Sequence, residues 1–176
     1  MGRNIEQKFR CADLAAAVRR ALVGGAEDRG LLFQHDLFFG APQARLKLRL
    51  ALRSPEDDGL GQPAELISYV RPDGVTARAS AYHLAPIADP ATLITVLTQA
   101  LGPPKSLRKT RQLLIHGQTR IHADCVHSLN EATFVELETV VTTQSLAEAQ
   151  RELAQVVALL DLREVVPTAY VDLVEG

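Results

Sequence analysis

The sequence of 176 residues contains no tryptophan, and aromatic residues make up only 5% of it, so platforms for stacking a base are scarce. Two cysteines, Cys11 and Cys125, are too few for a disulfide framework and favour a reducing, intracellular compartment. No apolar run is long enough to cross a bilayer, and the charged beginning of the chain lacks the apolar segment of a signal peptide. The formal net charge of -2 offers no general attraction to nucleic acid or to a membrane surface. We therefore expect a cytoplasmic protein that binds neither.

The composition is that of an ordinary globular protein, with 47% hydrophobic and 23% charged residues. A chain of this length buries a sizeable core, and no repeat or linker divides it, so we expect one domain over residues 1–176. Three amphipathic helices are predicted near Asp13–Val23, Asp89–Leu101 and Ser145–Leu160. Asp13, Asp89 and Ser145 are typical N-cap residues, and Ser145 with Glu148 forms a capping-box pattern.

Most of the remaining chain alternates apolar and polar residues with the two-residue period of β-strands. Eight strands are predicted, at Asn4–Arg10, Leu31–Phe39, Arg45–Leu52, Glu65–Arg71, Thr76–Leu84, Leu107–Ile115, Thr119–Val126 and Phe134–Val141. A short ninth strand is an option at Ala169–Leu173. The segments "SPEDDGLGQP" and "RPDG" are typical of turns between strands.

The segment "RLKLRL" places Arg45, Lys47 and Arg49 on one face of its strand, with leucines on the other. For one strand alone, the simpler interpretation is a face exposed to water. The same sorting recurs in "NIEQKFR", "TRIHAD" and "VELE", and the helices need an apolar surface to cover. We therefore predict an α+β fold: a closed, eight-stranded antiparallel barrel with its charged faces inside and its helices packed outside.

The predicted lumen has an excess of cations over carboxylates. The cations are Lys8, Arg10, Arg45, Lys47, Arg49, Arg71, Arg78, Lys109, Arg111 and Arg120, and the carboxylates are Glu6, Asp36, Glu65, Asp124, Glu136 and Glu138. Such a wall requires water, internal pairing and a polyanionic ligand, because unpaired buried charge is prohibitively costly. A triphosphate matches the excess, and Glu6, Glu136 and Glu138 are suited to a hard divalent cation that contacts its oxygens.

These segments resemble the CYTH proteins, or triphosphate tunnel metalloenzymes, and are most similar to a bacterial branch described as class IV adenylyl-cyclase-like. "NIEQK" corresponds to the family signature E-x-E-x-K, with Asn4 in place of the first glutamate. The segments "QHDLFF", "RLKLRL", "ELISYVRPDG", "GQTRIHADCV", "FVELETVV" and "AYVDL" extend the resemblance over essentially the whole chain.

The resemblance implies a tunnel that binds a small-molecule triphosphate, with Mg²⁺ or Mn²⁺ as cofactor. It implies phosphate-binding roles for Lys8, Arg45, Lys47, Arg49, Arg71, Arg111 and Arg120. Metal ligands would be Glu6, Glu136 and Glu138, with Asp124 as a less certain fourth, and Glu6 and Lys8 are the catalytic candidates. Asn4 weakens the case for a second metal ion, and His127-Ser128 departs from the branch at a loop.

Three functions remain open at the level of sequence: hydrolysis of a triphosphate, cyclisation of ATP by a class IV adenylyl cyclase, and binding of polyphosphate or nucleotide without catalysis. The group attached to the triphosphate and the oligomeric state are also open, and a homodimer is one option. We expect no zinc site, because the histidines lack ligand spacing. His122 is interpreted as a phosphate or pairing partner, Cys125 as a buried structural thiol, and Asp172 as a structural residue.

Overall fold

Eight antiparallel strands close into a barrel in the computed structural model, which describes residues 2–70 and 78–174. The strands are β1 (Gly2–Arg10), β2 (Glu27–Phe39), β3 (Arg45–Leu52), β4 (Ala64–Val70), β5 (Arg78–Ile87), β6 (Lys105–His116), β7 (Thr119–Val126) and β8 (Ala132–Val140). Neighbours follow the order β5-β4-β3-β2-β6-β7-β8-β1, and pairing of β1 with β5 closes the ring. The predicted barrel is confirmed.

The three predicted helices are also present, as α1 (Leu14–Val23), α2 (Pro90–Leu101) and α3 (Leu146–Leu160). Asp13 and Asp89 accept a hydrogen bond from the backbone of the first helical turn, and Ser145 and Glu148 form the complete capping box. None of the helices in the described residues is long and apolar enough to span a membrane.

The apolar faces of the strands point outward and lie beneath these helices. Leu48 and Leu50 of β3 are fully buried and belong to a core cluster against which α2 packs. On the other side of the barrel, α1 and α3 cover Ile5, Phe9 and Leu137, together with apolar residues of β6 and β7. Burial of the outer faces under helices leaves the opposite, polar faces directed into the barrel.

The two ends of the barrel differ because the C-terminal segment covers one of them. A short strand, β9 (Glu164–Val165), pairs with Phe9 and Arg10 at the end of β1, and a helical turn, α4 (Tyr170–Leu173), follows. Tyr170 packs against Phe134, with ring centroids 4.9 Å apart, and both side chains are buried. We call this end of the barrel the α4 end.

The predicted ninth strand at Ala169–Leu173 is therefore wrong, since this segment is helical and the ninth strand lies at Glu164–Val165. Its residues favour strands locally, but packing of Tyr170 into the barrel end and a hydrogen bond from the Ala169 amide to the Asp172 carboxylate stabilise a helical turn. The turn predicted at "RPDG" lies outside the described residues.

Candidate functional site

A cavity of about 410 Å³ occupies the interior of the barrel. Its wall combines charged residues from seven strands with aromatic and aliphatic side chains. Among the described residues, the charged ones are Glu6, Lys8, Asp36, Lys47, Arg49, Glu65, Lys109, Arg111, Arg120, Glu136 and Glu138. The sequence thus predicted most of the charged wall, and Lys47 and Arg49 of "RLKLRL" face inward as expected.

Arg49 is held by Asp36 on the neighbouring strand. Both carboxylate oxygens are used, with Arg49 Nε 2.7 Å from Oδ1 and a terminal nitrogen 2.8 Å from Oδ2. Lys47 Nζ lies 3.2 Å from the same Oδ2. Burial opposes ionisation of Asp36, but Arg49 and Lys47 outweigh it and hold the pKa of that carboxyl well below its usual range. The Asp36 carboxylate therefore stays charged at neutral pH and remains an ionic partner of both cations.

Arg111 is held in the same way by Asp124, at 2.6 Å for both hydrogen bonds. The Tyr170 hydroxyl donates to Asp124 at 2.9 Å, and Lys109 Nζ lies 3.5 Å away. Burial disfavours the charged form of Asp124, yet Arg111 and Lys109 hold the pKa of its carboxyl well below normal. Asp124 is fully buried and is not among the described residues that line the cavity, so its contacts hold Arg111 in position; its metal-binding role stays a prediction.

Carboxylates gather on the opposite wall, formed by β1 and β8. Glu6 lies opposite Glu138 in the register of these strands, and Lys8 lies opposite Glu136. Glu136 accepts contacts from Lys8 at 3.4 Å and from Arg111 at 3.1 Å. Although burial raises the pKa of Glu136, the positive charges of Lys8 and Arg111 keep it well below its usual value. We call Glu6, Glu136 and Glu138 the carboxylate wall.

His122 stands beside this wall with an unsatisfied nitrogen. Its Nδ1 lies 3.6 Å from Glu136 and 3.8 Å from Glu138, and both distances are too long for hydrogen bonds. This buried Nδ1 has no hydrogen-bond partner among the residues that the structure describes. The three side chains bring one nitrogen and two carboxylate oxygens within 4.8 Å of one another, a spacing that fits a divalent cation.

Asn4 also presents a buried, unsatisfied group to the cavity, since its Oδ1 has no hydrogen-bond donor within the described ranges. It occupies the position of the first glutamate in the sequence signature. The sequence predicted that Asn4 weakens the case for a second metal ion, and this stays a prediction. It gave no sign that a histidine nitrogen stands near Glu138.

Among the described lysines, Lys109 has the most clearly lowered pKa. It is 3% exposed, and burial, followed by repulsion from Arg111, lowers its pKa to about 7 despite the nearby carboxylate of Asp124. This lysine therefore loses charge near neutral pH, whereas the arginines keep theirs.

Two predicted phosphate-binding residues do not line the cavity. Arg10 is half exposed and pairs with Glu164 at 3.3 Å, outside the α4 end. Arg45 makes two contacts, of 2.9 and 2.8 Å, with Asp172 of α4. Arg71 and the side chain of Arg78 lie outside the described part of the structure.

The charges of the described cavity wall are therefore close to balanced, with six cations and five carboxylates. The cations lie mainly on β3 and β6, and the carboxylate wall lies on β1 and β8. Arg71 and Arg78 are outside this count. Arg10 and Arg45 are absent from the wall because alternation along a strand shows which face a residue occupies and not how far along the barrel it lies.

Aromatic residues form a further part of the wall that the sequence left undecided. Tyr69 and Tyr82 lie opposite each other on β4 and β5, and both line the cavity with Phe38. Two tyrosines on paired strands provide a surface on which a planar ring can stack.

Solved structures share this fold at low sequence identity. The PH1012 protein of Pyrococcus horikoshii OT3 has a TM-score of 0.81 at 20% identity, covering 98% of this chain and 99% of that chain. A provisionally assigned adenylate cyclase of Vibrio parahaemolyticus has a TM-score of 0.74 at 16% identity, covering 96% and 95%. HpAC1 of Hippeastrum, a provisionally assigned adenylyl cyclase with a dominant triphosphatase activity, has 0.65 at 13% identity, covering 98% and 94%. The sequence matches no family model and no curated protein.

Proposed function

We propose that this chain, which has the CYTH-type triphosphate-tunnel fold, is a metal-dependent enzyme that hydrolyses a triphosphate bound in its barrel. The observation that carries the proposal is the pairing of two opposed walls in one cavity. Arg49 and Arg111, each held by a buried aspartate, line the same cavity as the carboxylate wall, and Arg111 reaches Glu136 of that wall at 3.1 Å. A row of phosphates fits between such walls when a divalent cation occupies the carboxylate side.

We assign phosphate binding to the cations that line the cavity. Arg49 and Arg111 have rigid planar groups suited to paired phosphate oxygens, and Lys8, Lys47, Lys109 and Arg120 add single contacts. Arg71 and Arg78 stay in the proposal as candidates from the sequence. Arg10 and Arg45 act at the α4 end, where their pairs with Glu164 and Asp172 hold the C-terminal segment in place.

A Mg²⁺ or Mn²⁺ ion would be held by the oxygens of Glu136 and Glu138, with Glu6 facing Glu138. His122 would add a nitrogen ligand for Mn²⁺, whereas Mg²⁺ would take oxygen ligands alone. The unsatisfied Nδ1 of His122 is the observation that favours a metal at this place. When bound, the ion neutralises phosphate oxygens and stabilises the charge that develops on the leaving group.

The two catalytic candidates lie on the same face of β1. Glu6 positions a water molecule for attack on the terminal phosphorus. The bond from that phosphorus to the bridging oxygen breaks, so orthophosphate and the shortened phosphate chain leave. Lys8, held between Glu136 and the ring of Tyr170 at 3.4 and 3.7 Å, stabilises the negative charge on the departing oxygen.

An adenylyl cyclase is the second candidate, because Tyr69 and Tyr82 provide a surface for an adenine ring. The ribose 3′-hydroxyl would then replace water as the nucleophile, and pyrophosphate would leave. The dominant triphosphatase activity of the Hippeastrum protein, which shares the fold, favours hydrolysis.

One panel of reactions separates these functions. The protein is incubated with tripolyphosphate, thiamine triphosphate or ATP, with Mg²⁺ or Mn²⁺, and the products are resolved by ion-exchange chromatography. Orthophosphate released with metal supports hydrolysis, and cyclic AMP with pyrophosphate selects the cyclase. Thermal stabilisation by triphosphate without any product shows a binding protein and overturns the enzymatic proposal.

A further inference from the structure

A second group of potential metal ligands lies away from the cavity, where β7 connects to β8. Cys125, His127 and Glu131 follow the spacing C-x-H-x₃-E, and their ligand atoms lie within 4.8 Å of one another. Glu131 Oε2 is 3.1 Å from Cys125 Sγ and 2.8 Å from His127 Nδ1. The thiol of Cys125 points away from the lumen, because its neighbour Asp124 faces the interior ion pairs.

The expectation that Cys125 is a buried structural thiol is therefore wrong, since it is half-buried and bonded to Glu131. A strand ending at Val126 and a 3₁₀ turn over His127–Leu129 bring the three residues together. Asn130 and Glu131 then adopt left-handed backbone conformations, with φ of 54° and 59°, and the chain turns back so that the Glu131 carboxylate meets the other two side chains.

The imidazole of His127 is oriented as metal-binding histidines usually are. Its Nε2 lies 2.8 Å from the Thr110 hydroxyl, and its Nδ1 faces the cluster. A hydroxyl either donates or accepts, so Nε2 can carry the ring proton and leave the Nδ1 lone pair for a metal. Anchoring of the outer nitrogen by a hydrogen bond is typical of histidine ligands.

We propose that Cys125, His127 and Glu131 form a zinc-binding site outside the barrel. A thiolate, an imidazole and a carboxylate are the donor types that Zn²⁺ accepts, whereas Mg²⁺ prefers oxygen alone. In a tetrahedral zinc site, neighbouring ligand atoms lie roughly 3.3–3.6 Å apart. The distances of 2.8 and 3.1 Å need to lengthen by only a few tenths of an ångström.

The site is open to solvent, since the Glu131 side chain is 65% exposed and that of His127 is 31% exposed. Three protein ligands leave the fourth position to water. In the absence of metal, the Cys125 thiol donates a hydrogen bond to the Glu131 carboxylate at 3.1 Å. Zinc displaces this proton, which leaves to solvent as the S–H bond is replaced by a metal–sulfur bond.

Cobalt(II) provides a direct test on the full, metal-stripped chain, because a cobalt–thiolate bond absorbs in the near ultraviolet and bonds to oxygen and nitrogen do not. We expect a thiolate band that saturates at one Co²⁺ per chain and is abolished by Zn²⁺ but not by Mg²⁺. Cys125→Ser removes the band, and the matched variant Cys11→Ser keeps it. Glu136→Gln also keeps it, which separates this site from the cavity.

The remaining ligands are tested by competition of Zn²⁺ with a chromogenic chelator, with every protein carrying Glu136→Gln so that the cavity site does not contribute. His127→Gln and Glu131→Gln each weaken zinc binding at least tenfold, and Thr110→Val weakens it roughly 10–100-fold by releasing the imidazole. Circular dichroism of the metal-free variants checks that they fold. Absence of the band in the folded wild-type chain overturns the proposal. Equal zinc affinity in Glu136→Gln alone and in both ligand variants also overturns it, since that pattern shows a surface thiol alone.

Discussion

Two arginines in this cavity are fixed in orientation before any ligand arrives. Each uses two of its nitrogens to bind a buried aspartate, at 2.7 and 2.8 Å for Arg49 and at 2.6 Å for both contacts of Arg111. Removing either aspartate would leave a buried charge without its partner, which typically costs 3–5 kcal/mol. The aspartates therefore keep the guanidinium groups of Arg49 and Arg111 in fixed positions inside the cavity.

Glu136 is the residue at which the proposed metal binding can be separated most clearly from folding. We expect Glu136→Gln to lower metal-dependent activity and metal affinity at least about 100-fold, because the amide loses the charge that holds a divalent cation. Arg111 keeps its bidentate partner Asp124, and Lys8 keeps its contacts with the Thr168 carbonyl and the Tyr170 ring. The free energy of unfolding should therefore change by less than about 2 kcal/mol.

The matched control is Glu164→Gln, which removes a carboxylate that is 69% exposed and lies outside the cavity. It should leave activity and metal affinity unchanged. Steady-state kinetics, calorimetric metal titration and urea unfolding measure the three quantities. Parallel losses of activity and stability in Glu136→Gln would instead indicate a structural carboxylate.

Lys109 makes the cavity sensitive to pH. Its pKa of about 7 lies below the usual value, so the free protein loses this charge as the pH rises above 7. Triphosphate binding favours the protonated lysine. Affinity should therefore fall with rising pH, by at most about tenfold per pH unit between pH 7 and 9.

The phosphates of the ligand also titrate, so the comparison is between the wild type and Lys109→Met. We expect calorimetric affinities of the two proteins to converge as the pH rises, because the wild type approaches the neutral side chain of the variant. Lys105→Met changes an exposed lysine at the start of the same strand and should retain the wild-type profile. A constant ratio of affinities between Lys109→Met and the wild type across this range would contradict the prediction.

The same lysine affects folding with a definite sign. Because its folded pKa is depressed, the unfolded chain binds more protons between pH 7 and about 10.5. The contribution of Lys109 to stability is therefore least favourable below pH 7 and improves as the pH rises through that interval.

At the scale of elements, α4 connects the C-terminus to the charged interior. Tyr170 donates a buried hydrogen bond to Asp124, and its ring lies 3.7 Å from Lys8 Nζ. We expect Tyr170→Phe to keep the ring contacts and to lose the hydrogen bond, which should destabilise the fold by about 1–2 kcal/mol in urea unfolding. Tyr82→Phe is the control, since its side chain lines the cavity and is only partly buried, and it should cost less. Equal costs would show that the bond to Asp124 contributes nothing specific.

Strands and helices were largely predictable from the sequence, whereas the position of each side chain along the barrel axis was not. The β3 bounds of Arg45–Leu52 agree with the alternation of "RLKLRL", and the cap residues located the helix starts. Alternation could not show that Arg45 meets Asp172 at the α4 end, because that contact joins residues 127 positions apart. The place of His122 beside Glu136 likewise depends on the register of β7 and β8, which no local pattern contains.

At the scale of the whole molecule, the barrel reverses the usual arrangement of a globular core. Its apolar faces are buried outside, beneath helices, and its charged faces surround a cavity of about 410 Å³. Arg49 and Arg111 are each paired with a buried aspartate, so the fold does not require a ligand to neutralise them. This internal pairing allows the barrel to fold without a ligand, and it leaves guanidinium and ammonium groups directed into the cavity, where we propose that phosphate binds.

The near balance of charge in the cavity leads to a prediction about how ligands bind together. Six cations and five carboxylates in the described wall give little net attraction for a polyanion, whereas a divalent cation on the carboxylate wall gives a clear positive surplus. Metal and tripolyphosphate should therefore increase each other's affinity, typically 5–150-fold.

Thermal unfolding measures this as a rise in Tm with both ligands that exceeds the sum of the separate rises. Complexes of the metal with tripolyphosphate in solution are accounted for by repeating the matrix with Glu136→Gln, in which the excess should disappear. An excess of equal size in that variant would show that the coupling arises in solution, and the carboxylate wall would then have no role in it.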